Sequence, residues 1–192
     1  MCDTIFAATQ ADGAWFGKNS DRHPDEPQAL KLLPALAPAP TTRVGAVEFA
    51  RPDRGLAMAL SKPSWMAGGE MGLNAAGVAI GNEAVFAKEA ADKHGPLGMD
   101  ILRAALSASA SAAEARDFLC AFIEERGQGG NGAYRGSLVY SNSFIVADGA
   151  EAFVVETAGR RWAWRAAEGV ATISNAYSIE DDFKRLDALT RK

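Results

Sequence analysis

Four short hydrophobic runs, near 138–147, 152–158, 161–166 and 169–174, follow one another with only turn signals between them: Asp148-Gly149, Gly159 and Glu168-Gly169. Runs of this length between glycine-bearing turns are strands joined by hairpins, and a hairpin connects antiparallel neighbours. No helix fits into these gaps, so parallel βαβ winding is excluded here and a four-stranded meander is expected. The start of the chain repeats the pattern, with strands over 3–9 and 14–18 around Asp12-Gly13, then strands near 43–50 and 56–61. "VAIGNEAV" at 78–85 reads as a buried strand, whereas the proline-rich stretch Asp25 to Pro40 reads as a loop crossing the surface.

Two helices interrupt the strands, near 98–108 and 112–126. In the second, Ser111 with Glu114 three residues later makes a capping box. Ala115, Phe118, Leu119, Phe122 and Ile123 form one apolar stripe, and Arg126-Gly127 ends the helix. The final segment, "IEDDFKRLDALTRK", carries Phe183, Leu186 and Leu189 at near-helical spacing and predicts a third helix. Strands, helices, then strands again define an α+β fold of antiparallel sheet covered by helices. The length of 192 residues, 48% of them hydrophobic, suits one domain over 1–192.

Composition removes several functions. Lys and Arg number 20 against 24 acidic residues, and no basic cluster is interleaved with stacking aromatics, so a nucleic-acid partner is not expected. No apolar run approaches the roughly 20 residues of a membrane span, and "LLPALAPAP" is broken by Pro34, Pro38 and Pro40. No apolar leader or lipidation signal precedes Cys2, so a cytoplasmic location is expected. With Cys2, Cys120, His23 and His94 as the whole thiol and imidazole inventory, neither a disulfide framework nor a metal or other cofactor is implied.

Cys2 is the residue with chemistry to explain. Met before a small residue is normally trimmed, and trimming here leaves a thiol and a free α-amine on one residue. These groups titrate near ~8.5 and ~7.7–8.0, so the amine can serve as the thiol's own base. An ordinary exposed cysteine at a frayed terminus is the alternative. A two-residue turn at Asp12-Gly13 sets Asp21 opposite Thr4 and His23 opposite Cys2, with Cys2, Thr4, Asn19 and Asp21 on one face. Lys18 then points to the other face unless Gly17 forms a bulge, and a Cys2–His23 pair is a rival source of a base. Pro24 and the polar "HPDEP" instead favour an exposed His23.

The segments "CDTIFAATQADGAWFGKNSDRHPDE", "SKPSWMAGGEMGLNAAGVAIGNEA", "GMDILRAAL", "RGQGGNGA", "NSFIVADGAEAFVVETAGRRWA" and "ISNAYSI" together resemble the secernins and related cysteine dipeptidases. These are N-terminal nucleophile hydrolases, alongside bile-salt hydrolases and penicillin V acylases, and the resemblance runs from Cys2 to about Ile179. It implies an αββα sandwich of stacked antiparallel sheets between helical layers. It further implies Cys2 as nucleophile, its α-amine as base, Asp21 holding that amine, and Asn82 in the oxyanion hole, with Asn175 as a second active-site amide. Lys18 stands where relatives often carry Arg, a change that removes bidentate geometry. The implied substrate is a small peptide, most simply a dipeptide, or an N-acyl amide; no cofactor is implied, and a homo-oligomer is allowed. Relatives are longer, which implies a chain incomplete at its C-terminus. A catalytically idle interaction protein is the rival function.

Other features have structural readings beside the functional ones. Asn82 could simply end a strand, and "GQGGNG" lacks the Gly-Lys-Ser/Thr of a phosphate loop and reads as a helix stop. Trp65 could floor a pocket, but it and Trp15, Trp162 and Trp164 read first as core, and Cys120 reads as an inert buried thiol.

Overall fold

The computed structural model describes residues 1–9 and 13–186. In chain order the elements are β1 (Asp3–Thr9), β2 (Gly13–Asn19), β3 (Gln28–Leu33), β4 (Thr42–Val44), β5 (Val47–Phe49), β6 (Met58–Pro63), β7 (Met71–Asn74) and β8 (Ala79–Val85). Helices α1 (Gly98–Ala108) and α2 (Ala112–Arg126) follow, then β9 (Ser141–Ala147), β10 (Ala152–Ala158), β11 (Arg161–Ala166), β12 (Val170–Ile173) and β13 (Arg185–Leu186). An eight-stranded antiparallel sheet runs β13-β11-β10-β9-β8-β7-β6-β3, and a three-stranded sheet runs β12-β1-β2.

The central strands show why the layers stack. In β9 and β10 every residue up to Thr157 is buried, so both faces must be covered. Phe144, Val146, Phe153 and Val155 point to one side and join Leu102, Leu106, Leu119, Phe122 and Ile123 of the helices. Ile145, Ala147, Ala152 and Val154 point to the other and pack against Phe6, Ala171 and Ile173 of the smaller sheet. The period of two along each strand thus builds two cores at once. Ser111 Oγ accepts the Glu114 backbone N–H to start α2, as its capping signal predicts, and Gly127 closes it with φ of +74°.

Four sequence expectations are corrected. The last strand of the expected meander leaves it: β12 pairs with β1 rather than with β11, because Ala171 and Ile173 are needed in the core between the sheets. The expected loop at 25–40 contains β3, an edge strand paired with β6; its Leu30 and Leu32 are exposed, so it shows no inward alternation to read. The single strand expected at 43–50 is a hairpin, β4 and β5, reversed at Gly45 with φ of +59°. The expected C-terminal helix is not formed where the chain is described: Arg185–Leu186 pair with β11, and residues 187–192 lie outside the described residues. Of the tryptophans read as core, Trp162 is buried, but Trp15 is 66% exposed on the outer face of the small sheet and Trp65 is 45% exposed. Cys120 is buried in the stripe of α2. No helix among the described residues is long and apolar enough to cross a membrane.

Candidate active site

The register of β1 with β2 decides what stands beside Cys2. Thr9 pairs with Gly13 and Asp3 with Asn19, so the connection spans three residues, not two, and every partner moves by three positions from the expected pairing. The expected Asp12 position in the turn lies outside the described residues; Gly13 has φ of +83°. In this register Thr4 is directly opposite Lys18, and Asn19 pairs with Asp3 on the other face. Lys18 therefore faces the same way as Thr4 without any bulge at Gly17, correcting the expectation on both Lys18 and Asn19. The same shift removes His23 from Cys2. Its Nδ1 accepts the Asp25 backbone N–H at 3.1 Å and its ring lies 5.7 Å from that of Tyr134, outside the cavity around the thiol.

Lys18 meets a carboxylate not singled out from the sequence. Its Nζ donates to Glu83 Oε1 at 2.8 Å, and Thr4 Oγ1 donates to the same oxygen at 2.5 Å. The two charged side chains are 2% and 0% exposed. Glu83 sits on β8, on the face turned to the small sheet, together with Gly81. A Cβ at Gly81 would lie 2.9 Å from Thr4 Cγ2, so glycine there is what lets β1 approach β8 closely enough for this contact. Burial pushes the Glu83 carboxyl up, Lys18 and Thr4 pull against it, and its Oε2 is buried with no hydrogen-bond partner among the described residues.

Cys2 is half-buried in a cavity of about 380 Å³ that Lys18, Asp21, Asn82 and Asn175 also line. All five sequence-predicted site residues thus share one space. The Cys2 backbone N–H donates to Asn175 Oδ1 at 2.7 Å, while Asn175 Nδ2 donates to Ala84 O at 2.8 Å, tying the amide between β8 and the N-terminus. The α-ammonium of Met1 donates to Asp21 Oδ2 at 2.5 Å; that contact raises the amine's pKa and lowers the Asp21 carboxyl's. Burial pushes the Cys2 thiol up, and Lys18 is the main group opposing it.

Asn82 projects to the opposite side of β8 from Glu83, toward the helices. Its Nδ2 donates to Asn142 Oδ1 at 2.9 Å and approaches Met99 Sδ at 3.5 Å. Behind it, Asn142 Nδ2 donates to Gln128 Oε1 at 2.9 Å, and Gln128 Nε2 donates to Thr157 Oγ1 at 2.6 Å. A chain of buried amides fixes the orientation of Asn82, and only the weak thioether acceptor occupies its second N–H. Gln128 lies in "GQGGNG", so that stretch is more than a helix stop: it props the Asn82 side chain through Asn142. Gly98 makes room for this, since a Cβ there would fall inside the Asn142 amide.

The wall also includes Arg22, Glu70, Tyr140, Met99, Leu138 and Phe86. Arg22 forks onto Glu26, Nε to Oε2 at 2.5 Å and Nη2 to Oε1 at 2.8 Å, while Nη1 donates to Glu70 Oε1 at 3.0 Å and Nη2 also to Gly132 O at 2.9 Å. Trp65 neither floors the pocket nor fills the core; its Nε1–H donates to Glu26 Oε1 at 2.7 Å. Burial pushes the Tyr140 phenol up to about 12, keeping it a neutral hydroxyl. Glu83, Glu70, Arg22 and Tyr140 carried no sequence signal of their own, because charged and polar residues in short strands and loops read as solvated until the fold places them inside.

No protein-family model matches the chain. Among solved structures, it is similar to a conjugated bile acid hydrolase from Clostridium perfringens, with a TM-score of 0.64 at 14% identity over 94% of this chain and 55% of that one. It is similar also to the penicillin V acylase from Agrobacterium tumefaciens, with a TM-score of 0.60 at 13% identity over 91% of this chain and 52% of that one. An N-acylethanolamine-hydrolyzing acid amidase ortholog from Caenorhabditis elegans aligns with a TM-score of 0.50 at 11% identity, over 92% and 71%. The chain spans about half the length of the first two. What these likenesses share with it is the N-terminal nucleophile hydrolase fold, and that is the fold of this chain.

Proposed function

We propose that this chain belongs to a cysteine amidohydrolase of the N-terminal nucleophile type, with Cys2 as nucleophile and small peptides, dipeptides first, as substrates. One observation carries the reading: Cys2, Lys18, Asp21, Asn82 and Asn175, the residues the sequence resemblance points to, line a single cavity at the chain's start. The amidase fold of the solved neighbours and the resemblance to secernins and cysteine dipeptidases support it, the latter supplying the peptide preference.

The chemistry begins with loss of Met1. While Met1 is present the Cys2 nitrogen is an amide, hydrogen-bonded to Asn175 and unable to take a proton. Hydrolysis of the Met1–Cys2 bond turns that nitrogen into an amine flanked by the Asn175 carbonyl, with the Asp21 carboxylate released from Met1 to bind it. The amine accepts the thiol proton as sulfur attacks the substrate carbonyl, and Lys18 stabilises the thiolate that forms. Asn82 Nδ2, whose second N–H meets only the weak Met99 thioether in the free chain, donates that N–H to the oxyanion and stabilises the tetrahedral intermediate; such a donor typically contributes ~2.7–4 kcal/mol. Collapse breaks the C–N bond, the Cys2 ammonium protonates the leaving amine, and water then hydrolyses the thioester by the same relay.

Intact-mass spectrometry should find the cellular protein one methionine lighter, and that form should cleave members of a panel of dipeptides and N-acyl amides. Turnover that persists with Met1 retained, or no turnover across the panel with Cys2 free, sinks the reading. The rival, an idle interaction protein, is favoured by the upward push on the Cys2 thiol, which in the Met1-bearing chain keeps sulfur protonated. It requires that the trimmed chain show a thiol no more reactive than an ordinary cysteine and that a Cys2→Ala form keep all binding.

A further inference from the structure

The charges around Cys2 pair off, but not equally. Lys18 faces Glu83 from β2 to β8, and the N-terminal ammonium faces Asp21. Arg22 is shared between Glu26 and Glu70, and its fork is spent on Glu26; Glu70 receives a single N–H, at one oxygen only. Among the described residues the one side-chain hydrogen bond to Glu70 is at Oε1, and its Oε2 accepts none. The side chain as a whole is 7% exposed, anchored just before β7 by backbone bonds to Ser61 and Asn82, so the carboxylate is held in the wall of the Cys2 cavity rather than swinging in solvent. Its negative charge acts on the Cys2 sulfur. A carboxylate in that wall, with one oxygen accepting no hydrogen bond and a guanidinium it shares with Glu26, has acceptor capacity left for a second positive partner.

We propose that Glu70 is the specificity-determining residue of the site, selecting substrates that carry an ammonium group beside the scissile carbonyl. An aminoacyl group bound at Cys2 sets its α-ammonium one carbon from the carbonyl under attack, and Glu70 Oε2 accepts a charge-assisted hydrogen bond from it. N-acylated substrates offer no cation there and leave Glu70 Oε2 without a donor as the site loses water, which disfavours them. The inference rests on Cys2 being the reactive centre and decides between the two substrate classes that reading admits.

The test is a matched pair: one dipeptide with a free α-amine and the same dipeptide N-acetylated, offered to the trimmed chain. The free-amine form should be favoured about 10- to 100-fold in kcat/KM, and in an isosteric Glu70→Gln chain that ratio should collapse toward one, through KM. Equal or better turnover of the acetylated form by the parent chain overturns the proposal, as does a ratio that survives Glu70→Gln. A Cys2→Ala chain reads the same preference by equilibrium binding of the two peptides, without chemistry. Absence of turnover with preferential binding of the free amine rejects the hydrolase reading and keeps Glu70's role; binding of neither, or of both alike, rejects Glu70.

Discussion

Two buried charge clusters border the same cavity, and they are built oppositely. Around Arg22, one guanidinium serves two carboxylates and a carbonyl, and Glu26 receives a further N–H from Trp65. Burial works against the Glu26 carboxylate, yet its hydrogen bonds prevail and its pKa is lowered. Around Lys18, one ammonium and one hydroxyl share a single oxygen of Glu83, the other oxygen is left without a partner, and burial prevails, so the Glu83 pKa is raised. A planar fork satisfies a buried carboxylate where a single ammonium does not. The first cluster fastens the loop at Gly132 to the chain after β2; the second places a cation beside the thiol and does so at some expense in stability.

The largest expected effect follows from breaking the satisfied cluster. Arg22→Leu leaves Glu26 and Glu70 buried without their cation, and urea unfolding should show a loss of about 3–5 kcal/mol. Arg22→Lys should recover only part of it, because an ammonium cannot make the two parallel bonds to Glu26. If the leucine variant proves as stable as the parent, the cluster is not the anchor its geometry describes.

Lys18→Met tests the strained pair. Glu83, already pushed toward its neutral form, takes up a proton when the ammonium is gone, so the loss of stability should be smaller than for Arg22→Leu. The double change Lys18→Met with Glu83→Gln should come back to within about 1 kcal/mol of the parent, since a buried pair replaced whole is often near neutral. Reactivity should not come back: the pH profile of Cys2 alkylation, read on the N-terminal peptide, should lie higher in both variants because Lys18 no longer opposes the effect of burial. A double variant with parent-like thiol reactivity would remove Lys18 from the chemistry.

These clusters mark what the sequence could and could not say. Elements with a strong local signal, such as α2 with its stripe and cap or the short apolar strands at 152–158 and 161–166 set between glycine turns, were legible because stripe, cap and turn residues are written locally. The register of the first hairpin was not. A three-residue connection replaces the expected two, and with period-two strands that odd shift turned Lys18 inward and Asn19 outward. Nor was the departure of β12 to β1, since hairpin signals favour the nearest neighbour and core demand overrode them. Cys2, Asp21, Asn82 and Asn175 were visible through resemblance; Glu83, Glu70 and Gln128 act through partners 14 to 79 positions away, and no local pattern encodes such pairings.

The opposite shifts also give opposite pH dependences. Glu26 has a folded pKa below its ordinary value, so the stability it contributes is fully present above the usual glutamate range and is lost as pH falls through the folded value. Glu83 has a folded pKa above its ordinary value, so its contribution is complete at low pH and is lost as pH rises through the folded value. Unfolding free energy measured from pH 3 to 7 should therefore lose part of its acid limb in Glu26→Gln. An unchanged acid limb would mean that Glu26 is no better held in the folded chain than in the unfolded one.

The smallest effect isolates a single hydroxyl. Thr4→Val keeps the shape of the side chain that packs over Gly81 and removes only the O–H that donates to Glu83 Oε1. The Lys18 bond to the same oxygen remains, so no charge is stranded, and the cost should be about 0.5–1.5 kcal/mol, the net worth of one hydrogen bond. With one fewer donor, the Glu83 pKa should rise further, and its hold on Lys18 should weaken as the proton competes for Oε1. Because the Glu83 charge pushes the Cys2 thiol up while Lys18 pulls it down, thiol reactivity should then move opposite to that in Lys18→Met, and less. If Thr4→Val costs as much as Lys18→Met, the hydroxyl rather than the ammonium is the main partner of Glu83, and the contrast between a forked and a single-point cation is not what separates the two clusters.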